Sequence, residues 1–216
     1  MKKIELTDPH RIKHFQFFNK MSYPHFQISA QIPVYNIVKY IKKEDWHFTS
    51  AVVYWLSVAA HEVPTLKWRI RDNEIIEHEV LDPSFAVLPE VSDVFSFCTV
   101  EFDKNWHIFQ LRCQAEIDKM KSQPSFEDEE GKDNFLFMSG LPWVSFTGIQ
   151  HPISMPADSI PRVTWGKTHT QGSDLMMPIA IQAHHGLVDG KDLGRFFMVC
   201  EALARDPVRL FTREKL

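Results

Sequence analysis

Apolar side chains recur at regular steps in several parts of the chain, and these steps predict helices. Between residues 104 and 122 the apolar positions lie three or four residues apart: Trp106, Phe109, Cys113, Ile117 and Met120. This spacing matches the turn of an α-helix and predicts an amphipathic helix with a charged, solvated opposite face. The almost unbroken apolar run from Ala51 to Ala60, which Thr49 or Ser50 can cap, predicts a helix that is buried on most sides.

Three further helices are predicted towards the two ends of the chain. Asp8 and Pro9 open a helix that runs to about Lys20, and residues 34–42 form the next one. Asp192 can cap a final helix through Arg205. The apolar face of that helix carries Leu193, Phe196, Phe197, Cys200 and Leu203.

Shorter runs of apolar and β-branched residues between turn-forming residues predict the strands. Residues 68–71 and 74–77 form a hairpin about Asp72 and Asn73. The other predicted strands are residues 85–88, 94–102, 135–138, 143–147, 162–167 and 175–181. Because strands and helices are mixed without strict alternation, we predict an α+β fold, an α/β two-layer sandwich with a mixed β-sheet.

The composition narrows the class of protein. The chain of 216 residues fits one domain (1–216), and its 44% hydrophobic and 12% aromatic residues can supply a core and an aromatic-lined pocket. A formal net charge of -4, without a Lys/Arg run longer than a pair, disfavours nucleic acid as a partner. No stretch approaches the ~20 apolar residues of a membrane span, and no apolar signal core follows the N-terminus, so we expect a cytosolic protein. Three separated cysteines favour reduced, buried thiols.

The segment from Gln182 to Gly190 concentrates the residues that can do chemistry, because His184, His185 and Asp189 stand at the end of an apolar run. A histidine fixed at the end of a buried strand can act as a general base near neutral pH. The spacing alone leaves three interpretations open: a hydrogen-bonded pair of core histidines, a metal site or a catalytic group. The metal interpretation lacks further ligands, since the sequence has no Cys-x-x-Cys spacing and no His-Glu-x-x-His motif.

With these residues the chain resembles the chloramphenicol acetyltransferases, whose signature is a His-His-x-x-x-Asp-Gly element at the end of a strand. The resemblance covers nearly the whole chain, with further matching segments in the same order: Arg11 to Phe15, Leu81 to Val87 and Leu141 to Phe146. Dihydrolipoamide acyltransferases and peptide-synthetase condensation domains have a similar His-His element but lack the Pro-Trp-Val-Ser-Phe neighbourhood and the compact length. The resemblance implies a chloramphenicol acetyltransferase-like fold, with helices packed on one face of the mixed sheet.

The resemblance also implies an acetyltransferase that moves an acetyl group from acetyl-CoA to a hydroxyl of chloramphenicol or a related small molecule, without a metal. It makes His185 the general base and Ser139 the donor to the oxyanion, while Thr164 assists through a water molecule. Asp189 aligns with an aspartate that pairs with an arginine of the first helix, and Arg11 stands at that place. We therefore expect an ion pair between Arg11 and Asp189 that holds the catalytic loop.

The binding residues likewise follow from the resemblance. Trp143 and Lys167 match positions near the coenzyme A channel, although a core tryptophan and a solvated surface lysine remain alternative interpretations. The candidates for the acceptor pocket are Phe18, Phe26, Phe95, Phe126 and His151. Of these, Phe126 lies in a predicted acidic surface loop over residues 123–134, where it can also simply pin the loop to the core.

The chain departs from the family pattern at several positions. Lys191 and Asp192 replace an aromatic residue and a histidine, and Gly186 follows the catalytic position where Ser or Ala is usual. Phe18 stands where a tyrosine contacts the drug, and His151 stands near a leucine. Loss of the tyrosine hydroxyl removes one hydrogen bond, worth about 1 kcal/mol, to a polar acceptor.

The resemblance further implies a homotrimer in which each active site lies between two subunits, with His185 on one side and the acceptor pocket on the other. Two alternatives to the chloramphenicol hypothesis stay open. The first is a coenzyme A-dependent acyltransferase for a different hydroxylated acceptor, and the second is a non-catalytic protein that binds a small hydrophobic molecule. The joint presence of His185, Ser139 and Thr164 favours an enzyme.

Overall fold

The computed structural model describes residues 1–127 and 131–212, so part of the predicted acidic loop, residues 128–130, lies outside the described residues. Within them the α-helices are α1 (Pro9–Phe18), α2 (Tyr35–Lys43), α3 (Phe48–His61), α4 (Trp106–Ser122), α5 (Gly190–Arg205) and α6 (Pro207–Phe211). The strands are β1 (Lys2–Ile4), β2 (His25–Pro33), β3 (Trp68–Arg71), β4 (Glu74–Glu77), β5 (Asp82–Val87), β6 (Ser96–Thr99), β7 (Phe135–Leu141), β8 (Arg162–Gly166), β9 (His169–Gln171) and β10 (Asp174–His184).

The strands form one large mixed sheet and one small antiparallel sheet. The large sheet has the order β2-β10-β8-β7-β5-β6, with β9 paired to β10, and the small one has the order β1-β4-β3. In the large sheet β7 is parallel to both β5 and β8, whereas the other neighbours are antiparallel. The predicted mixed sheet is therefore confirmed. None of the helices in the described ranges is long and apolar enough to cross a membrane.

The two faces of the large sheet differ in polarity. Alternate side chains of a strand point to opposite faces, and on β2 and β10 one face carries apolar residues: Phe26, Ile28, Ala30, Ile32, Ile179, Ile181 and Ala183. These residues join the hydrophobic core together with α3, α4 and α5, which confirms that helices pack on one face. The other face is polar and carries His25, Gln27, Ser29, Gln31, Gln182 and His184.

Two predicted helix caps are wrong. Helix α3 begins before Thr49 and Ser50, because the ring of His47 accepts a hydrogen bond from the Ser50 N–H at 3.4 Å and caps the helix itself. Helix α5 begins before Asp192, which is not the cap but the third residue of a capping box. Asp189 is the cap, and its own N–H donates to the Asp192 carboxylate at 3.0 Å.

The predicted strand over residues 143–147 is also wrong. The chain turns there after Pro142, as the Val144 N–H donates to the Leu141 carbonyl at 3.3 Å. Its residues attract a strand prediction because they are apolar, yet Trp143 is 70% and Val144 53% exposed. Strands β7 and β8 pair directly with each other, so no place in the sheet is left for an intervening strand. By contrast, the predicted hairpin is confirmed, with positive φ at both Asp72 and Asn73.

Candidate active site

His185 is oriented by hydrogen bonds at the end of β10. Its backbone N–H donates to the Pro24 carbonyl at 2.8 Å, and its Nδ1 lies 3.0 Å from the Val188 carbonyl oxygen. Because a carbonyl oxygen can only accept, this contact requires the proton on Nδ1. The lone pair of Nε2 is then free to take a proton, which is the tautomer that a general base needs.

The imidazole of His185 is sandwiched between two phenylalanine rings. Phe18 and Phe26 each stack on it with ring centroids 4.1 Å apart and interplanar angles of 22° and 24°. Two rings cannot share one face at this distance, so they cover both faces of the imidazole. His14, which the sequence analysis did not single out, makes an edge contact at 5.4 Å.

His184 has a packing role. Its side chain is buried, its Nδ1 accepts a hydrogen bond from the Gly186 N–H at 3.1 Å, and its ring packs edge-on against His25 at 5.5 Å. Burial lowers the pKa of His184 to about 4, so the ring is neutral at pH 7. A Cβ on residue 186 would approach the His184 ring to 3.0 Å, which explains why glycine stands there.

The expected ion pair between Arg11 and Asp189 is not formed. Among the described residues, the guanidinium of Arg11 instead donates a hydrogen bond to the Leu187 carbonyl. The carboxylate of Asp189 caps α5 and accepts hydrogen bonds from the backbone N–H groups of Lys191 and Asp192. Burial alone raises the pKa of the Asp189 carboxyl, but these two N–H groups and the nearby charge of Arg11 outweigh it, and the pKa is lowered. Both residues still hold the loop after His185, because each bonds the backbone around it.

Ser139 lies on a different part of the sheet, at the rim of a cavity. It stands on β7 directly opposite Thr164 on β8, and it lines a cavity with a volume of ≈ 780 Å³. Trp143 and Lys167 line the same cavity, so the two predicted coenzyme-binding residues come together beside the predicted oxyanion donor. The interpretation of Trp143 as a core residue is wrong, since its side chain is exposed.

The hydroxyl of Thr164 is engaged by His151. Thr164 is only 1% exposed, and its Oγ1 lies 2.5 Å from Nε2 of His151. Gln182 in turn bonds the backbone of His151 on both sides. Sequence analysis did not single out Gln182, although a polar residue inside an apolar strand run is a signal for a specific buried contact.

The phenylalanines predicted for the acceptor pocket fall into two groups. Phe18 and Phe26 stack on His185, as described above, whereas Phe95 and Phe126 pack together with Phe97 in an edge-to-face cluster. Phe95 also lines the cavity beside Ser139, and Phe126 is 55% exposed. The ring of Phe126 thus contacts β6 through Phe97 while more than half of its side chain faces the surface.

The site residues thus form two half-sites within one chain. We call the group of His185, Phe18 and Phe26 the base half-site. We call Ser139, Thr164 and His151, together with the cavity that Ser139 and Phe95 line, the oxyanion half-site. Thr164 pairs with Ala180, which precedes His185 on β10, and the five intervening steps along an extended strand span roughly 16 Å. Hydrogen bonds do not reach over such a distance, so the half-sites of one chain do not act on the same reacting atoms.

No group of three or more His, Cys, Asp or Glu side chains that could hold a metal ion occurs in residues 1–127 and 131–212. The three cysteines are buried, and burial raises the pKa of Cys98 and Cys113 to about 12. These thiols are therefore protonated at neutral pH and do not offer a thiolate nucleophile.

Comparison with known proteins places the chain in a family. Residues 1–200 match the family model described as chloramphenicol acetyltransferase. A chloramphenicol acetyltransferase of Proteus mirabilis is 25% identical over 193 residues, 89% of each chain, and chloramphenicol acetyltransferase 3 of Escherichia coli is 23% identical over 209 residues, 96% of this chain and 98% of that one. A solved structure named chloramphenicol acetyltransferase superposes with a TM-score of 0.79 at 21% identity, covering 94% of this chain and 100% of that chain.

Proposed function

The chain belongs to the chloramphenicol acetyltransferase family, and on this premise we propose that it transfers an acetyl group from acetyl-CoA to a hydroxyl of chloramphenicol or a related small molecule. The enzyme class, an acyltransferase, follows from the family. The observation that carries the rest of the proposal is the orientation of His185. Its Nδ1 is committed to the Val188 carbonyl, so Nε2 is the basic atom.

We propose the following roles for the two half-sites. His185 Nε2 takes the proton of the acceptor hydroxyl while the acceptor oxygen forms a bond to the carbonyl carbon of the thioester. Ser139 donates its hydroxyl proton in a hydrogen bond to the carbonyl oxygen, which becomes negative. The carbon–sulfur bond then breaks, and His185 returns the proton to the departing thiolate. Each proton and electron pair is accounted for without a metal.

The cavity beside Ser139 supports acetyl-CoA as the co-substrate. Its volume of ≈ 780 Å³ and its mixed lining suit an elongated small molecule, and Trp143 offers an apolar surface to the pantetheine arm. Lys167 supplies a positive charge for a phosphate group at the same cavity. The aromatic cluster of Phe95, Phe97 and Phe126 supports an acceptor that itself carries an aromatic ring.

The separation of the half-sites supports an active site shared between subunits. We propose a homotrimer, as the family resemblance implies, in which His185 of one subunit faces Ser139 and Thr164 of its neighbour. The polar face of β2 gives independent support, because His25 Nδ1 and Nε2, Gln27 Oε1 and Gln31 Oε1 are buried but bond to none of the described residues. Buried polar atoms of this kind are costly unless they find partners, and a neighbouring subunit can supply them.

The test is thiol release from acetyl-CoA by the purified protein, with and without chloramphenicol, for wild type and His185→Ala. His107→Ala, a substitution at an exposed position on α4, is the matched control. We expect chloramphenicol-dependent release in wild type and the control, and a loss of about 10²- to 10⁴-fold in His185→Ala, the usual effect of removing a general base. Thiol release that occurs only with another alcohol would mean that chloramphenicol is not the acceptor. The absence of thiol release with every acceptor tested would favour a non-catalytic binding protein.

A further inference from the structure

The hydroxyl of Thr164 has one hydrogen-bonding partner among the described side chains, the imidazole of His151. The contact joins Thr164 Oγ1 and His151 Nε2 at 2.5 Å, and Thr164 is almost fully buried. Thr164 stands opposite Ser139 in the register of β7 and β8, so His151 acts directly on the neighbour of the proposed oxyanion donor. A leucine at position 151 would leave this buried hydroxyl without that partner.

His151 is held in place through its backbone rather than through its ring. Gln182, which is buried on β10, accepts the His151 N–H with its Oε1 at 2.8 Å and donates its Nε2 to the His151 carbonyl at 3.2 Å. The same Nε2 lies 3.3 Å from the hydroxyl of Tyr23, which is also bonded by Gln150. These two hydrogen bonds fix the loop that carries His151 to β10, the strand that ends just before His185.

We propose that His151 is a positioning residue that donates its Nε2–H to Thr164 and thereby directs the Thr164 hydroxyl proton towards the oxyanion beside Ser139. This inference rests on the proposed acetyl transfer. A hydroxyl has a single proton. If Nε2 accepted, that proton would point at His151 and Thr164 would have none to donate into the site. If Nε2 donates, the proton is free.

The surroundings of His151 favour the neutral ring that this proposal uses. Burial, and secondarily the positive charge of Arg162, lower the pKa of His151. Arg162 itself is paired with Asp158 through two bonds of 2.9 and 2.6 Å. The proposal is therefore a matter of which ring nitrogen carries the proton, and not of a change in charge near neutral pH.

A double-mutant cycle tests the proposal. The variants are His151→Leu, Thr164→Val and the double variant, with His107→Leu as the matched control at an exposed site. We expect His151→Leu to lower kcat about tenfold with less than about a twofold change in the KM for the acceptor, because the group acts in the transition state. In the Thr164→Val background the same substitution should change kcat by less than about twofold.

Fully multiplicative effects on kcat, or an effect on KM alone, would overturn the proposal, because His151 would then act on the acceptor and not through Thr164. A second readout is independent of turnover. In the side-chain ¹⁵N spectrum of histidine-labelled wild-type protein, the ring that disappears in His151→Leu should have a protonated Nε2, and Thr164→Val should shift it. An unprotonated Nε2, or no shift, contradicts the proposal. If wild type fails to acetylate any alcohol while the spectrum is as expected, the proposed function fails and the contact stands.

Discussion

The base half-site and the oxyanion half-site are built in different ways. The ring of His185 bonds to a carbonyl three residues later, but its two faces are covered by Phe18 and Phe26, which come from near the other end of the chain. The oxyanion half-site draws on one segment, because Ser139 and Thr164 lie on the neighbouring strands β7 and β8 and His151 lies in the loop between them. The proposed base thus depends on long-range packing, while the proposed charge-stabilising groups depend on the pairing of two successive strands.

The largest expected effect comes from inactivating the two half-sites in separate chains, which tests whether one active site combines half-sites of two subunits. His185→Ala inactivates the base half-site, and Ser139→Ala weakens the oxyanion half-site by about 10²-fold or more. When the two variants are co-expressed, the proposed trimer predicts mixed assemblies with sites that combine the intact His185 of one subunit with the intact Ser139 of its neighbour. We expect activity to reappear at a level well above that of either variant alone.

The control for this experiment is the double variant with both substitutions in one chain, co-expressed with His185→Ala. No mixed trimer of that pair has a site with both residues intact, so it should stay inactive. If the first pair also stays inactive although mass measurement detects mixed trimers, both halves of each site come from one subunit and the proposed arrangement is wrong.

The second prediction concerns the two adjacent histidines, the proposed base His185 and the buried, packed His184. Burial lowers the pKa of His184, His25 and His61 from 6.5 to about 4. Between these pH values the unfolded chain binds more protons than the folded protein, so the free energy of unfolding is highest above pH 6.5 and falls as the pH falls towards 4. Each of the three histidines adds a slope of up to about 1.4 kcal/mol per pH unit.

Urea unfolding at pH 7, 6 and 5 measures this slope. His184→Asn, which keeps an acceptor for the Gly186 N–H, should remove about a third of the slope that the three histidines share, with His107→Asn as the control. An unchanged slope in His184→Asn would mean that His184 is protonated in the folded protein. That result would remove the distinction between a packing and a catalytic histidine.

The third prediction separates the two residues that hold the loop of the base half-site. Arg11→Met removes the charged donor to the Leu187 carbonyl and should cost about 1.5 kcal/mol or more in the free energy of unfolding, with a lower kcat. Asp189→Asn keeps a good helix cap for α5 and should cost less than about 0.5 kcal/mol. If the two substitutions lower the free energy of unfolding equally, and their effects are strongly coupled in the double variant, Arg11 and Asp189 form a direct ion pair after all. Thermal and urea unfolding measure these free energies.

The sequence predicts the features that neighbouring residues determine. The apolar run that becomes β10 and the Asp72-Asn73 hairpin depend on local side-chain types, and both are confirmed. The strand predicted over residues 143–147 fails because β7 and β8 pair with each other, which leaves Trp143 and Val144 exposed outside the sheet. Local pattern cannot report which strands become neighbours.

Contacts at the site are harder to predict than the residues that take part in them. The resemblance supplied Arg11 and Asp189, yet a shift of a few ångströms decides whether a guanidinium meets a carboxylate or the Leu187 carbonyl. No regular spacing in the sequence marks the contact between His151 and Thr164, because it forms only when the loop before β8 folds back onto that strand. Such contacts follow from the folded arrangement of loops, which composition and spacing do not encode.

The smallest expected effect tests how the base half-site meets the acceptor. Phe18 stacks on His185 at 4.1 Å and has no hydroxyl, so Phe18→Tyr adds one hydrogen-bonding group next to the catalytic ring. A net gain of about 1 kcal/mol corresponds to about a fivefold lower KM for chloramphenicol, with kcat nearly unchanged. Phe17→Tyr, at an exposed position on the same helix, is the control. Steady-state kinetics decide the matter: an unchanged KM in Phe18→Tyr would mean that bound chloramphenicol presents no polar group to this ring.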